Sequence, residues 1–311
     1  MILDLVIILT SGVILWVGAS QVVHGAGSIA HRLKISELVI GLTVVAFGTS
    51  APELAVTIIA AIKGQGDISV GNVIGSNIIN FGFVLGAVAI VRAIKTSGEI
   101  IKRDGPVLIT VTILLIVFLS TGQLNHWEGA IFLVILLAYN IYLFRFSNPE
   151  RVPESPHGFS FWDIARFIIG LAAITLASDF LVDSAVRLAE AAGISNWAMG
   201  QTVVAMGTSL PELATSLAAI RKSRLEMSAG NLIGSNIFNI LGILGVSSVI
   251  KTITIKAAAY EGLYVLLGFT ILVIIMMWTG RRLSRVEGGV LILLNLLIWI
   301  VALAGFKMPL F

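Results

Sequence analysis

The sequence predicts an all-α polytopic membrane protein with ten transmembrane helices, arranged as two inverted five-helix repeats. Three observations predict it: an apolar composition, ten apolar runs of about spanning length, and an internal repeat. The 311 residues are 57% hydrophobic and only 12% charged, which is too apolar for a water-exposed surface. Because the chain has no cysteine, it offers neither a disulfide framework nor a thiolate metal site.

The ten apolar runs divide into five before and five after a short linker. A helix needs about 20 residues to cross the hydrocarbon core. The linker, SNPERVPESPHGFS, is the only Pro- and Ser-rich stretch. We predict a first repeat at 1–146, a cytoplasmic linker at 147–160 and a second repeat at 161–311, in one integral membrane domain. The runs are 2–22, 36–60, 70–92, 106–121, 127–146, 161–181, 196–220, 228–250, 258–279 and 287–306.

The internal repeat appears when the chain is shifted on itself by 159 residues. Residues 41–80 then match 200–239 at 23 of 40 positions. Since each copy holds five spans, an odd number, the second copy begins on the opposite side of the membrane. Inverted repeats in secondary transporters place substrate and ion sites at the midplane, where broken helices of the two halves meet.

Basic residues predict the orientation. Loops on one side hold 15 of the Lys and Arg residues and loops on the other side hold 5. The positive-inside rule then places both termini outside the cytoplasm, in a multi-pass protein of the cell membrane. The first run lacks a basic start and carries Asp4, so we expect it to be retained rather than cleaved as a signal peptide. Basic residues scattered among loops do not form a nucleic-acid surface.

Each copy carries polar residues inside an apolar run. In GTSAPEL, Thr49, Ser50 and Glu53 are spaced by three and four, so they share a helix face. A charged side chain near the bilayer centre costs at least ~2.5 kcal/mol and therefore indicates a functional site. Thr208, Ser209 and Glu212 repeat the arrangement in the second copy.

A proline in each motif predicts a broken helix. Pro52 and Pro211 remove a backbone donor and clash with the carbonyl four residues earlier. We expect the helices to open there and to free carbonyls that can line a polar cavity. The carbonyls concerned are those around Ala46, Phe47, Ala205 and Met206.

The second half of each motif adds only oxygen-bearing ligands. GNVIGSNIIN and GNLIGSNIFN supply Ser76, Asn77 and Asn80, and Ser235, Asn236 and Asn239. Oxygen ligands without His or Cys select hard cations, and two carboxylates match one divalent or two monovalent ions. Calcium fits better than magnesium, because it accepts six to eight oxygens in irregular geometry.

The paired GTSxPEL and GNxIGSN blocks resemble the alpha-repeats of the cation/calcium exchanger superfamily, most closely its prokaryotic sodium/calcium exchangers. The resemblance covers essentially the whole chain. It implies an antiporter, not an enzyme, that expels calcium against inward sodium flow. It also implies an ion core formed by the second, third, seventh and eighth helices, past which the long first and sixth helices slide.

The resemblance also implies a ligand set. Glu53 and Glu212 would bind both calcium and sodium, and Asn80 would line the middle of the site. Where relatives can carry an aspartate, this chain has Asn239, a nearly isosteric neutral group that weakens the case for potassium coupling. The sodium sites would be completed by Thr49, Ser50, Ser76, Thr208, Ser209 and Ser235 and by the carbonyls of Ala46 and Ala205.

Other functions remain as alternatives. A proton/calcium exchanger is the nearest, because buried carboxylates can trade protons for metal, but its typical acidic GNxxE block is absent. An intramembrane enzyme would need a motif such as HExxH, whereas all four histidines fall at predicted helix ends or loops. A channel would need a pore loop. No cofactor motif is visible, and the expected partners are sodium, calcium and the lipid bilayer, with protein partners unknown.

One further acid lies within a predicted span. Asp179 falls in or near the end of the sixth helix, and the 159-residue offset pairs it with Ser20. A water-facing position on a gating helix is the hypothesis for this residue.

Overall fold

The computed structural model describes residues 2–147, 159–191, 205–255 and 259–303, and these residues are predominantly helical. The helices of the first half are α1 Ile2–Leu33, α2 Glu37–Thr49, α3 Ala51–Ile62, α4 Gly66–Val91, α5 Gly105–Leu119 and α6 His126–Arg145. Those of the second half are α7 Phe161–Ala191, α8 Ala205–Thr208, α9 Leu210–Arg221, α10 Leu225–Ile250, α11 Ala259–Thr279 and α12 Arg285–Leu303.

Six of these helices are long and apolar enough to cross a membrane. They are α1, α4, α6, α7, α10 and α11, and the bent pair of α2 and α3 makes a seventh if it counts as one span. The described helices overlap all ten predicted runs, although α5 and α12 are not among the helices that pass this test. The result is a helical polytopic membrane fold.

Two predicted runs are too short. α1 has 32 residues and α7 has 31, whereas the sequence predicted spans at 2–22 and 161–181. Both helices continue past the purely apolar stretch because later polar positions still pack against neighbouring helices. The predictions for most of the 147–160 linker and for the start of the seventh run, at 196–204, lie outside the described residues.

The all-α prediction is confirmed, and within the described residues four two-residue strands join the helix ends. β1 Ile94–Lys95 pairs with β4 Arg282–Leu283, and β2 Gln123–Leu124 pairs with β3 Ile253–Thr254, both antiparallel. Adding 159 to the residue numbers of β1 gives those of β3, and adding 159 to those of β2 gives those of β4. The two strand pairs are therefore counterparts of each other under the repeat.

Close helix contacts depend on small residues. α1 and α7 form the most extensive helix pair. A Cβ placed on Gly18 would lie 2.8 Å from Ile174, and one on Gly170 would lie 2.8 Å from the Gly18 carbonyl oxygen. Small residues of this kind let membrane helices approach backbone to backbone.

Four π-helical segments interrupt the helices in the described ranges. They cover Gly41–Val45, Asn80–Val84, Ile100–Asp104 and Asn239–Leu244. Single π turns occur frequently at functional sites. Two of them begin at Asn80 and Asn239, which are both predicted site residues.

Candidate ion-binding site

Each half contains a hinge that positions one carboxylate. α2 and α3 meet at Ser50 with a bend of 51°, and α8 and α9 meet at Ser209. Both serines leave helical geometry in the same way, with φ and ψ of −84° and 14° at Ser50 and −90° and 4° at Ser209. The predicted helix break is therefore confirmed.

The prolines begin new helices rather than disrupting old ones. Pro52 and Pro211 occupy the first positions of α3 and α9, where a missing N–H is harmless. Glu53 and Glu212 follow in the first turns, and the positive end of the helix dipole favours negative charge there. Each hinge thus holds a carboxylate at the start of a half-helix.

The expectation of free carbonyls fails at two positions. The Ala46 carbonyl accepts the Ser50 N–H at 3.1 Å and the Thr49 hydroxyl at 3.4 Å, and the Met206 carbonyl accepts the Ser209 N–H at 3.2 Å. Both helices stay hydrogen-bonded up to the hinge serines instead of opening before them, which gives each of these oxygens a partner. A carbonyl oxygen has two lone pairs, so a ligand role for Ala46 stays a prediction.

The two carboxylates are fully buried and interact with each other. Among the described residues, neither oxygen of Glu53 has a hydrogen-bond partner, and Glu212 uses only Oε1, which accepts the Ser50 hydroxyl at 2.8 Å. Within the described chain, neither carboxylate forms an ion pair with Lys, Arg or His. Two buried acids without a compensating cation are costly, so this centre requires positive charge from a bound ion or proton.

Hydroxyls of both halves surround each carboxylate. Ser76 and Thr208 interact with Glu53, although their geometry falls short of a regular hydrogen bond. Ser50, Thr49 and Ser235 interact with Glu212. Each acid therefore meets hydroxyls from its own half and from the other.

Asparagine amides continue the polar centre. Both amide atoms of Asn80 and the Oδ1 of Asn239 are buried without a partner in the part of the chain that the structure describes, as is the Ser209 hydroxyl. The Asn239 amide donates to Asn77 Oδ1 at 2.9 Å, and the Asn77 amide donates to the Asn236 carbonyl at 3.2 Å. Buried polar atoms without partners are rare and need an explanation. Bound cations would supply one.

Sequence reasoning missed a second layer of hydrogen bonds. The Asn72 amide donates to Thr57 Oγ1 at 2.9 Å and to the Glu53 carbonyl at 3.3 Å. Its counterpart Asn231 donates to Ser216 Oγ at 3.0 Å. The signal was present, because the asparagine is identical in both copies and a hydroxyl residue follows each site glutamate by four positions.

Asn231 also reaches the other half. Its Oδ1 accepts the Thr49 hydroxyl at 3.2 Å, and Thr49 Oγ1 lies 3.5 Å from Ser235 Oγ. The orientation of this predicted ligand is therefore set by the opposite repeat.

The donor set decides which ions the centre can hold. The described residues contain no group of three or more His, Cys, Asp or Glu of the kind that binds zinc or iron. Carboxylate, hydroxyl and amide oxygens suit hard cations such as calcium and sodium.

Comparisons with known proteins agree with this chemistry. The profile of the family described as sodium/calcium exchanger protein matches residues 3–145 and again 162–304. CaxA of Alkalimonas amylolytica is 40% identical over 307 residues, covering 94% of this chain and 96% of CaxA. The sodium/calcium exchanger MaX1 of Methanosarcina acetivorans is 32% identical, covering 93% and 95%.

A solved structure gives the same result. The sodium-calcium exchanger NCX_Mj, soaked without sodium and calcium, superimposes with a TM-score of 0.84 at 31% identity, covering 97% of this chain and 99% of its own. The predicted exchanger resemblance is confirmed. This chain belongs to the sodium/calcium exchanger protein family, whose members are ion antiporters.

Proposed function

We propose that this protein exchanges sodium for calcium, with calcium extrusion driven by the sodium gradient. One observation carries the proposal: Glu53 and Glu212, one from each half, are fully buried together with no compensating cation in the described chain. One calcium ion or two sodium ions neutralise this pair. Because the same two charges serve both ions, binding of one kind displaces the other, which is the basis of exchange.

The ligand set proposed for these ions is the predicted one. Ser76 and Thr208 beside Glu53, and Ser50 beside Glu212, already face the carboxylates. The unpartnered atoms of Asn80, Asn239 and Ser209 would complete the shell. Thr49, Ser235 and the carbonyls of Ala46 and Ala205 make up the rest.

Alternating access follows from the proposed architecture of ten spans in two inverted repeats, 1–146 and 161–311, joined by the 147–160 linker. The family profile matches each half separately, and the two small sheets exchange under the 159-residue offset. Both observations support a pair of equivalent halves with the ion site between them. Such repeats open the site to each side in turn by moving one bundle against another.

The transport test uses purified protein in liposomes. We expect calcium-45 uptake when sodium is loaded inside and diluted outside, and no uptake above background with a proton gradient alone or with no gradient. Uptake driven by the proton gradient would instead support the proton/calcium alternative. Glu261→Gln is the matched control, because this exposed acid lies far along the chain at the start of α11.

Orientation in the cell membrane has its own test. The bias of 15 to 5 basic residues places both termini outside. Since the chain lacks cysteine, Thr121→Cys and Ser147→Cys can each be labelled alone with an impermeant thiol reagent on intact cells. We expect external labelling only at position 121, which is exposed. Labelling at position 147 would reverse the proposed orientation.

A further inference from the structure

The half-helices after the two hinges make different contacts, although the repeat relates them. α9 packs along α1, whereas α3 makes no comparable contact with α7 within the described residues. The offset maps α9 onto α3 and α1 onto α7. One contact of a symmetric pair is therefore formed and the other is open, as in one state of a two-state transporter.

The formed contact is polar as well as apolar. At the end of α9, the Lys222 ammonium donates to the Ser20 carbonyl on α1 at 2.9 Å. The Arg221 guanidinium lies 4.4 Å from the centre of the Trp16 ring, a cation–π contact. Burial in this contact, with the nearby charge of Arg224, lowers the pKa of Lys222. The end of α9 is thus held against α1 in a partly dehydrated contact.

The open counterpart contains matching residues. Lys63 is the counterpart of Lys222, and it is the only identity between residues 61–68 and 220–227. Asp179 on α7 is the counterpart of Ser20. Both side chains are exposed, and neither makes a hydrogen bond or ion pair to a residue that the structure describes.

The position of Asp179 needs a reason. It lies inside the apolar span of α7, where an exposed carboxylate is costly unless it faces water or pairs with a cation. Asp183 follows one turn later on the same face and adds negative charge. A basic partner arriving from α3 would relieve both effects.

We propose that Lys63 and Asp179 form a gate contact in the opposite state of the transporter, when Lys222 releases the Ser20 carbonyl. The contact rests on the proposed function, because only an alternating site needs a second state. In that state α3 packs along α7 as α9 now packs along α1. With the proposed orientation, the Lys63–Asp179 contact closes the outer side.

Cross-linking tests this contact without relying on transport. Two cysteine pairs report the two contacts, and each pair has one cysteine in either half. The outer pair is Lys63→Cys/Asp179→Cys, and the inner pair is Ser20→Cys/Lys222→Cys. A protease site placed in the 147–160 linker separates the halves, so a gel distinguishes linked from unlinked protein. The control pair is Thr121→Cys/Asp179→Cys, which also joins the two halves. Thr121 is exposed just after α5, on the same proposed side as Lys63, and α5 does not pack along α7 within the described residues.

We expect a short thiol cross-linker to join a larger fraction of the protein in the outer and inner pairs than in the control pair. Cross-linking should block exchange, and cutting a cleavable cross-linker should restore it. The proposal would be overturned if the outer pair cross-links no more than the control pair while the inner pair does cross-link. Should the cysteine variants link as expected but the parent protein move no calcium, the contact would stand and the proposed exchange would fail.

Charge reversal gives a second, independent readout. Lys63→Asp and Asp179→Lys should each slow exchange by about three- to tenfold, because each places like charges in the closing contact. The double variant should recover most of the lost rate. A double variant no faster than the slower single variant would contradict a direct contact.

Discussion

The two halves agree closely in the layer of hydrogen bonds behind the buried carboxylates and differ in the helices outside it. In the first half the Ser69 hydroxyl donates to the Thr57 carbonyl at 3.2 Å, and in the second half Ser228 donates to the Ser216 carbonyl at 3.1 Å. The asparagine bonds of this layer match as closely, at 2.9 and 3.0 Å. This second layer is therefore built in the same way in both halves.

The surrounding helices show the contrast. Asp104, fully buried at the start of α5, receives two bonds from Arg103, at 2.6 and 3.0 Å, and one from the Tyr139 hydroxyl at 2.9 Å. The repeat counterparts of Asp104 and Tyr139 are Leu263 and Ile298, which carry no charge. Ion binding needs equivalent halves only at the centre, whereas outer packing can be achieved by an ion pair in one half and by leucine in the other.

The largest expected effect tests the equivalence of the centre. Glu53→Gln and Glu212→Gln should each reduce sodium-driven calcium-45 uptake by about a hundredfold or more, because a divalent ion left half-compensated in a buried site loses several kcal/mol. The two variants should be equally damaged, and Glu261→Gln should transport normally. Substantial uptake by either variant would contradict the claim that both carboxylates are needed to bind calcium.

The second effect tests the difference between the outer helices. Asp104→Leu should destabilise the protein by about 3 kcal/mol, because the buried Arg103 and Tyr139 groups lose their partner. The triple variant Arg103→Met/Asp104→Leu/Tyr139→Phe, apolar like the second half, should regain most of that loss. Thermal unfolding in detergent measures both. A single variant as stable as the parent would mean that the ion pair contributes nothing.

A smaller effect tests the second layer in both halves. Asn72→Ala and Asn231→Ala each remove an amide that fixes the helix carrying a site glutamate, and each should weaken calcium binding by about fivefold, the equivalent of ~1 kcal/mol. Calcium titration of the purified variants checks this. A loss in one half alone would show that the layer is not equivalent. Asn140→Ala, whose amide bonds only within α6, is the control.

The smallest effect concerns Asn239. In Asn239→Asp, burial beside two carboxylates favours the neutral acid, which can still donate to Asn77 as the amide does. Transport near neutral pH should therefore survive. As pH rises the third carboxylate ionises, holds cations more tightly and slows their release. Calcium uptake measured against pH should show a new step in the variant alone, and superimposable profiles would place residue 239 outside the ion site.

The two hinges could be predicted because their signals are local, whereas the predicted ligand set stays a prediction. Pro52 beside Glu53 indicates a hinge that carries a carboxylate, and the second copy has the same pair of residues. The length of α1 was underestimated, since Gly25, beyond the predicted end of the run, packs against the backbone of α7 rather than being held by hydrophobicity. The Ala46 carbonyl was expected to be free, but the Ser50 N–H bonds to it. Cross-half contacts such as Lys222 with Ser20 depend on tertiary packing that no local pattern encodes.

Calcium binding at equilibrium tests the central claim most directly, since it needs no gradient and no gate. Purified protein is titrated with calcium-45 at increasing sodium, alongside the Glu53→Gln/Glu212→Gln double variant. We predict calcium binding that sodium displaces with a slope above one, because more than one sodium ion replaces each calcium, and no such binding in the double variant. Calcium binding that sodium leaves unchanged, or that persists in the double variant, would contradict a shared site at these two carboxylates.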